Sequence, residues 1–257
     1  MLVAERHQKI GEIINNKGSI RVSELSTLFG VTEETIRRDL EKLENEGILQ
    51  RSHGGAVSVR ENQTEVPYFE REITNVEEKK AIAHEALNYI QPSDRIILDA
   101  STTAWYMAKI LPDIPLTVLT NSIKVSMELA NKEKIEVIST GGILQSRSLS
   151  FVGPLTEQSL SFYHVNKAFI SCKGIHLDHG ISDTHEMQAL LKRKMIDISD
   201  QVYVMVDYSK FEKRAFTRIT SLNAIDLVIT DAQTDSKHIQ QLKELSVEVN
   251  QIQVTDN

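Results

Sequence analysis

The sequence predicts an α/β protein in two parts: a small helical N-terminal domain closed by a β-hairpin, and a larger domain built on a largely parallel sheet. Three observations predict it. Residues 23–56 run as a short amphipathic helix, a glycine turn, a longer amphipathic helix and a hairpin with paired glycines. From about residue 95, short apolar runs alternate with helical ones, the pattern of a parallel sheet with crossover helices. The 257 residues are ample for a real core in one or two domains.

In the first part, Val22, Leu25 and Phe29 recur at helical spacing, Leu28 widens the apolar face, and Ser23 is the expected N-cap. Gly30 supplies the freedom of a sharp turn. Thr32 caps a second helix expected over 33–46, where Ile36, Leu40 and Leu43 form the buried stripe. Glu34, Thr35, Arg37, Arg38 and Glu41 are left facing away from it. Gly47 is placed to end that helix, and an upstream helix over 5–15 adds Ile10, Ile13 and Ile14 to the same core. Residues 48–51 and 56–59 read as two strands joined by Ser52-His53-Gly54-Gly55.

Helix, turn, helix and hairpin in that order describe a winged helix-turn-helix, which lays its second helix in a DNA major groove. Candidate DNA contacts are Ser23, Thr32, Glu34, Thr35, Arg37, Arg38 and Lys42, with Arg51 and His53 at the hairpin tip. A winged helix used for protein contacts is the alternative.

Charge is distributed unevenly. The formal net charge is −7, yet residues 1–60 carry nine Lys/Arg and nine Asp/Glu, so the deficit lies entirely in the remainder. DNA binding therefore rests on local placement of Arg21, Arg37, Arg38, Lys42 and Arg51, and strong salt dependence is expected. No apolar run approaches the roughly 18 residues of a membrane span. The N-terminus lacks the apolar core of a signal peptide, and the single cysteine, Cys172, fits a reducing cytoplasm. Cys172 sits in an apolar strand-like run and reads as core rather than nucleophile.

Residues 60–75 are polar with one proline and read as a connector between a domain over 1–59 and another over 76–257. A helix is expected over 76–90, then strands over 95–99, 116–120 and 135–139, with helices over 103–111 and 123–131 between them. Later strands are expected over 167–172, 202–206 and 226–230, with a helix over 186–198. Ligands of such sheets bind at the carboxyl ends of the strands. Three small polar loops fall there: Asp99-Ala100-Ser101-Thr102-Thr103, Thr120-Asn121-Ser122 and Thr140-Gly141-Gly142. Hydroxyls and free amides at a helix start suit an anion, and Gly-Gly lets a ligand approach the backbone. Lys210 and Lys173 are candidate counter-charges, with Asp207 fixing Lys210 or a ligand hydroxyl, and Arg147 is a weaker third cation. Together the loops suggest a phosphate or polyol ligand.

The stretch VSELSTLFGVTEETIRRDLEKLENEGILQRSHGGAV resembles the N-terminal signature of DeoR-family transcriptional regulators, with TIRRDL and HGGA its most specific elements. The loops ASTT, TN, TGG and DYSKF resemble the sensor domain of the same family. The resemblance implies a Rossmann-like α/β sensor similar to sugar-phosphate isomerases of the ribose-phosphate type. It implies an effector, a phosphorylated sugar, held by Ser101, Thr102, Thr103, Asn121, Gly141, Gly142 and Lys210. Asp99, Thr140, Lys173 and Asp207 complete the candidate set. Rhamnulose 1-phosphate is the sugar that the resemblance suggests. One departure is Gln188, where many relatives carry Glu, four residues before Lys192.

The expected partners are double-stranded operator DNA, the sugar phosphate and further copies of the chain, as dimer or tetramer. No cofactor or metal is expected: His176, His179 and His185 lie close in sequence without a zinc-ligand spacing. Isomerase activity is the second hypothesis, with Asp99, Asp183, Glu186 and Asp207 the available carboxylates, but no fixed acid/base cluster accompanies them. A DNA-binding protein that takes no small ligand is the third.

Overall fold

The computed structural model describes residues 3–17, 19–46, 48–52, 54–58 and 65–253. The chain divides into two compact units, Met1–Glu65 and Val66–Asn257.

In the first unit, helix α1 (Val3–Lys17) leads through β1 (Ser19–Arg21) into α2 (Val22–Phe29), and α3 (Glu33–Asn45) precedes β2 (Leu49–Ser52) and β3 (Gly55–Ser58). The three strands pair antiparallel in the order β1-β3-β2. Ile10, Ile14, Val22, Leu25, Ile36, Leu40, Leu43 and Leu49 form its core, with Phe29 packed against it. Gly30, at φ 63°, turns α2 into α3.

Three expectations change here. The cap of α2 is Arg21 in extended conformation, so Ser23 lies inside the first turn; the helix starts earlier because β1 delivers the chain directly into it. Leu28 faces outward, 60% exposed, because Leu25 and Phe29 already fill the inward arc. The hairpin is shifted, with Gly55 inside β3, where any Cβ would collide with the Ile20 carbonyl of β1. Gly47 and His53 fall outside the described residues.

The second unit opens with α4 (Tyr68–Glu72) and α5 (Val76–Ala86), the latter extended by a 3-10 turn. The stretch read as a connector is therefore partly a helix of this unit. Tyr68 fixes it: its ring is 1% exposed and meets Trp105 edge-on. There follow β4 (Arg95–Leu98), α6 (Thr102–Ile110), β5 (Leu116–Thr120), α7 (Ile123–Leu129) and β6 (Ile135–Ser139). A hairpin of β7 (Ile143–Gln145) and β8 (Ser150–Val152) precedes α8 (Pro154–Leu160) and β9 (Val165–Ile170). Next come β10 (Gly174–His176), β11 (Gly180–Asp183), α9 (Glu186–Asp197), β12 (Ser199–Met205), β13 (Thr217–Thr220), β14 (Leu227–Asp231), α10 (Ser236–Glu244) and β15 (Glu248–Ile252).

Seven strands form one parallel sheet in the order β15-β14-β12-β9-β4-β5-β6. Alternate residues of each strand serve opposite faces. Ile96, Leu98, Phe169, Tyr203 and Met205 join α5, α6 and α7 on one side. Ile97, Ala168, Ile170, Val202 and Val204 join α8, α9 and α10 on the other. The inner strands are buried on both faces, which is why they read as continuous apolar runs, while the edge strands β6 and β15 are more open. After β4 the chain runs outward through β5 and β6, then returns to the other side of β4 as β9. That reversal opens a crevice at the carboxyl ends of β4 and β9. No helix among the described residues is long and apolar enough to cross a membrane.

Candidate nucleic-acid interface and anion site

The outer face of α3 carries exposed Arg37, Arg38 and Lys42. Arg37 pairs with Glu33 at 3.0 Å and Arg38 with Glu34 at 3.3 Å, each one turn back along the helix. Such exposed pairs are worth a few tenths of a kcal/mol, so a phosphate can displace the carboxylates easily. Thr32 caps α3, its hydroxyl accepting from Thr35 N at 3.3 Å. Thr35 is half-buried, and Ser23 and Glu34 are exposed.

Two contacts set the pose of α3. Asp39, on its inner face, accepts from Arg6 Nε at 2.6 Å and Nη2 at 3.1 Å, and meets His7 Nε2 at 2.8 Å. Burial pushes the Asp39 carboxyl up, but Arg6 and His7 outweigh that and hold it below the usual carboxylate range. Arg51 N donates to Glu44 Oε1 at 2.7 Å, tying the wing to the end of α3.

In the second unit, all the candidate loops fall at the carboxyl edge of the sheet, because β4, β5, β6, β9 and β12 run parallel. Asp99 is fully buried after β4, accepting from Ser101 N and Ser171 N, both at 3.1 Å. Ser101 caps α6, its Oγ accepting from Ala104 N, and Thr102 and Thr103 are buried in the first turn. Thr120 Oγ1 donates to Leu98 O at 2.6 Å, locking β5 to β4. Asn121 donates to Phe151 O, but its Oδ1 is buried without a hydrogen-bond partner, and so is Thr140 Oγ1. A buried orphan costs about 1–3 kcal/mol, so two at adjacent strand ends point to a polar guest. Gly141, at φ 62°, faces open space. Gly142 differs from expectation: Thr156 of α8 occupies the room a side chain would take, so it is glycine for packing rather than for ligand approach.

Cations gather beside β9 and β12. Asp207 is 2% exposed and accepts from Ser209 N at 3.0 Å and Asn75 Nδ2 at 2.9 Å, with Lys210 Nζ at 3.7 Å. Burial pushes its carboxyl up, yet Lys210 and these donors bring it below the ordinary range. The segment after Lys210 runs along β10, where Lys213 O lies against Gly174, next to Lys173. Burial, then the charge of Lys210, lowers Lys173 and Lys79 to about 8 and pulls Lys213 down as well. Arg71 adds to the depression of Lys173 and Lys79. Buried lysines that face the charge of Lys210 form a site that favours an anion.

Reasoning from sequence missed Arg71, Asn75, Lys79 and Lys213, and missed the role of Lys192. Three of them lie at or beside the stretch read as a connector, where no periodicity marks them. Lys192 is buried, 2.7 Å from Asp183 Oδ2 and from Ser171 O and 3.3 Å from Asp99 Oδ2. Burial pulls it down, but the two carboxylates outweigh this and keep it charged. Gln188, one turn earlier, donates to Ser148 Oγ at 3.0 Å and Ser150 Oγ at 2.5 Å. Cys172 is buried and its thiol is pushed up to about 12, which suits core and not a nucleophile. Among the described residues no group of His, Cys, Asp or Glu has the arrangement of a metal site.

Comparison with known proteins agrees with this architecture. Residues 6–62 match the profile of the DeoR-like helix-turn-helix domain, and residues 74–232 that of the DeoR C terminal sensor domain. The chain is 62% identical to YulB of Bacillus subtilis, named an uncharacterized HTH-type transcriptional regulator, covering 97% of this chain and 96% of that one. It is 39% identical to the L-fucose operon activator of Haemophilus influenzae, covering 88% and 91%. It is also 39% identical to the HTH-type transcriptional repressor GlcR of Bacillus subtilis, covering 90% and 89%.

Proposed function

The chain belongs to the DeoR family of transcriptional regulators, and on that premise we propose that it represses a sugar catabolic operon until a phosphorylated sugar releases it. In this reading α3 enters the major groove, Arg37, Arg38 and Lys42 contact phosphates or base edges, and Arg51 reaches the backbone beside it. Two copies or four read paired half-sites. The effector lies at the carboxyl edge between β4 and β9, its phosphate near Lys210 and Lys173 and the α6 start, its hydroxyls toward Asn121 and Thr140. Rhamnulose 1-phosphate is the first effector to test.

The observation that carries this reading is that Lys173 and Lys210 and the orphaned Asn121 Oδ1 and Thr140 Oγ1 all follow strands at the carboxyl edge of one sheet. Three of the four carboxylates considered for catalysis are engaged, and the fourth, Glu186, is exposed in the first turn of α9. Aldose–ketose isomerisation requires a carboxylate free to take a carbon-bound proton, but Asp99 and Asp183 both lie against Lys192, and Asp207 is held by Asn75, Ser209 and Lys210. The regulators it resembles include both an activator and a repressor, so a reporter fusion decides the sign.

Lys210→Ala tests the site. DNA affinity without effector is expected to stay within about twofold of wild type, while the effector no longer changes it; allosteric coupling of 5- to 150-fold is the ordinary range. Release of DNA by Lys210→Ala at the wild-type effector concentration would contradict the assignment.

A further inference from the structure

The corner between α4 and α5 reaches the loop after β12 through the side chain of Asn75. Asn75 occupies the cap position of α5 at φ 50°, a left-handed conformation that asparagine tolerates, yet it makes no capping hydrogen bond. Its amide donates instead to Asp207 Oδ1 at 2.9 Å and to Ser209 Oγ at 3.3 Å, more than 130 positions along the chain. Other hydrogen bonds brace this corner without reaching Asp207. Lys79 donates to Arg71 O at 2.5 Å and Thr74 O at 2.6 Å, closing the end of α4. Tyr106 donates to Glu72 O at 3.0 Å, and Tyr68 N to Arg147 O at 2.7 Å. Asn75 differs because its acceptor is a carboxylate whose charge is offset by Lys210 at 3.7 Å. An anion that draws Lys210 away leaves Asp207 to Asn75 and Ser209, and strengthens their hold.

In sequence, this corner also follows directly on the N-terminal unit, since α4 begins three residues after Glu65. We propose that Asn75 is a positioning residue that reports effector occupancy, its bond to Asp207 carrying the state of Lys210 to the segment that leads to the DNA-binding unit. This rests on the effector site proposed above.

The test uses the full chain, with labelled DNA from upstream of its own operon. The ligands are rhamnulose 1-phosphate, fructose 1-phosphate, glucose 6-phosphate and ribose 5-phosphate, with inorganic phosphate as the anion control. Asn75→Gly keeps the positive φ without strain and deletes the amide; Asn75→Asp keeps the size but sets a carboxylate against Asp207. Calorimetric titration reads ligand binding, and anisotropy reads DNA affinity with and without ligand. Expected for Asn75→Gly is a ligand affinity within about threefold of wild type, with the ligand-dependent change in DNA affinity collapsed from the 5- to 150-fold range to less than about twofold. Asn75→Asp is expected to lose the response likewise. A wild-type response retained in both variants overturns the role of Asn75 and leaves the effector site standing. A wild type that binds none of these ligands overturns the effector site, and the role of Asn75 falls with it.

Discussion

Lys79 and Lys173 are held near pKa 8, against an ordinary 10.5, because each is buried and each faces the charge of Lys210. Both are therefore partly neutral just above physiological pH. An anion placed among them favours their charged forms and draws protons onto them. The affinity for a sugar phosphate is accordingly expected to fall roughly tenfold between pH 7 and pH 9.5. At pH 8.5, titration calorimetry in buffers of different ionisation heat should show proton uptake on binding. For the ligand-free protein the sign is opposite. The unfolded chain binds more protons than the folded one between pH 8 and 10.5, so these lysines make stability rise across that window. Affinity that is flat with pH would place the phosphate away from them. At this scale the sequence is a partial guide. Lys173, Asp207 and Lys210 are legible because they follow apolar strand runs directly. Asn75 is not, because its partner is fixed by a fold that brings the start of α5 to the end of β12.

Helix α3, the proposed DNA reader, is held in its pose by a contact on its hidden face. Asp39 joins it to Arg6 and His7 of α1 in a nearly dry environment, with Arg6 and Asp39 at 9% and 7% side-chain exposure. Replacing one member of such a pair leaves the other charge buried and unpaired, which is strongly destabilising. Asp39→Ala is expected to cost about 3 kcal/mol, read as a shifted urea transition of the full chain, together with loss of DNA binding. A loss below about 0.5 kcal/mol would mean that the pair is solvated and does not hold α3. Among elements, the buried strands β4 and β5 and the stripe Ile36-Leu40-Leu43 were readable, since strands covered on both faces and amphipathic helices leave clear patterns. The β7–β8 hairpin was not: Ile143 and Leu144 are adjacent apolar residues, both exposed, and break the alternation. β1 was missed for a related reason, since three residues are too few to show a period.

As a whole, the molecule joins a DNA-binding unit whose first 60 residues are balanced in formal charge to an acidic sensor domain. In the proposed reading that arrangement disfavours attachment to arbitrary DNA and leaves binding to a few cations on α3 and the wing, so affinity should fall steeply with salt. The two-part plan was legible because each part carries its own periodicity. The position of the boundary was less so, because α4 is five residues long and Tyr68 is its one buried residue.

The central claim is that a phosphorylated sugar controls attachment to DNA. The most direct measurement is anisotropy of a labelled fragment from upstream of the protein's own operon, titrated at fixed salt and then challenged with sugar phosphates and their unphosphorylated parents. The account predicts tight binding that one phosphorylated sugar reverses and its parent sugar does not. Tight binding indifferent to every member of that panel, or no sequence-specific binding at all, would contradict it.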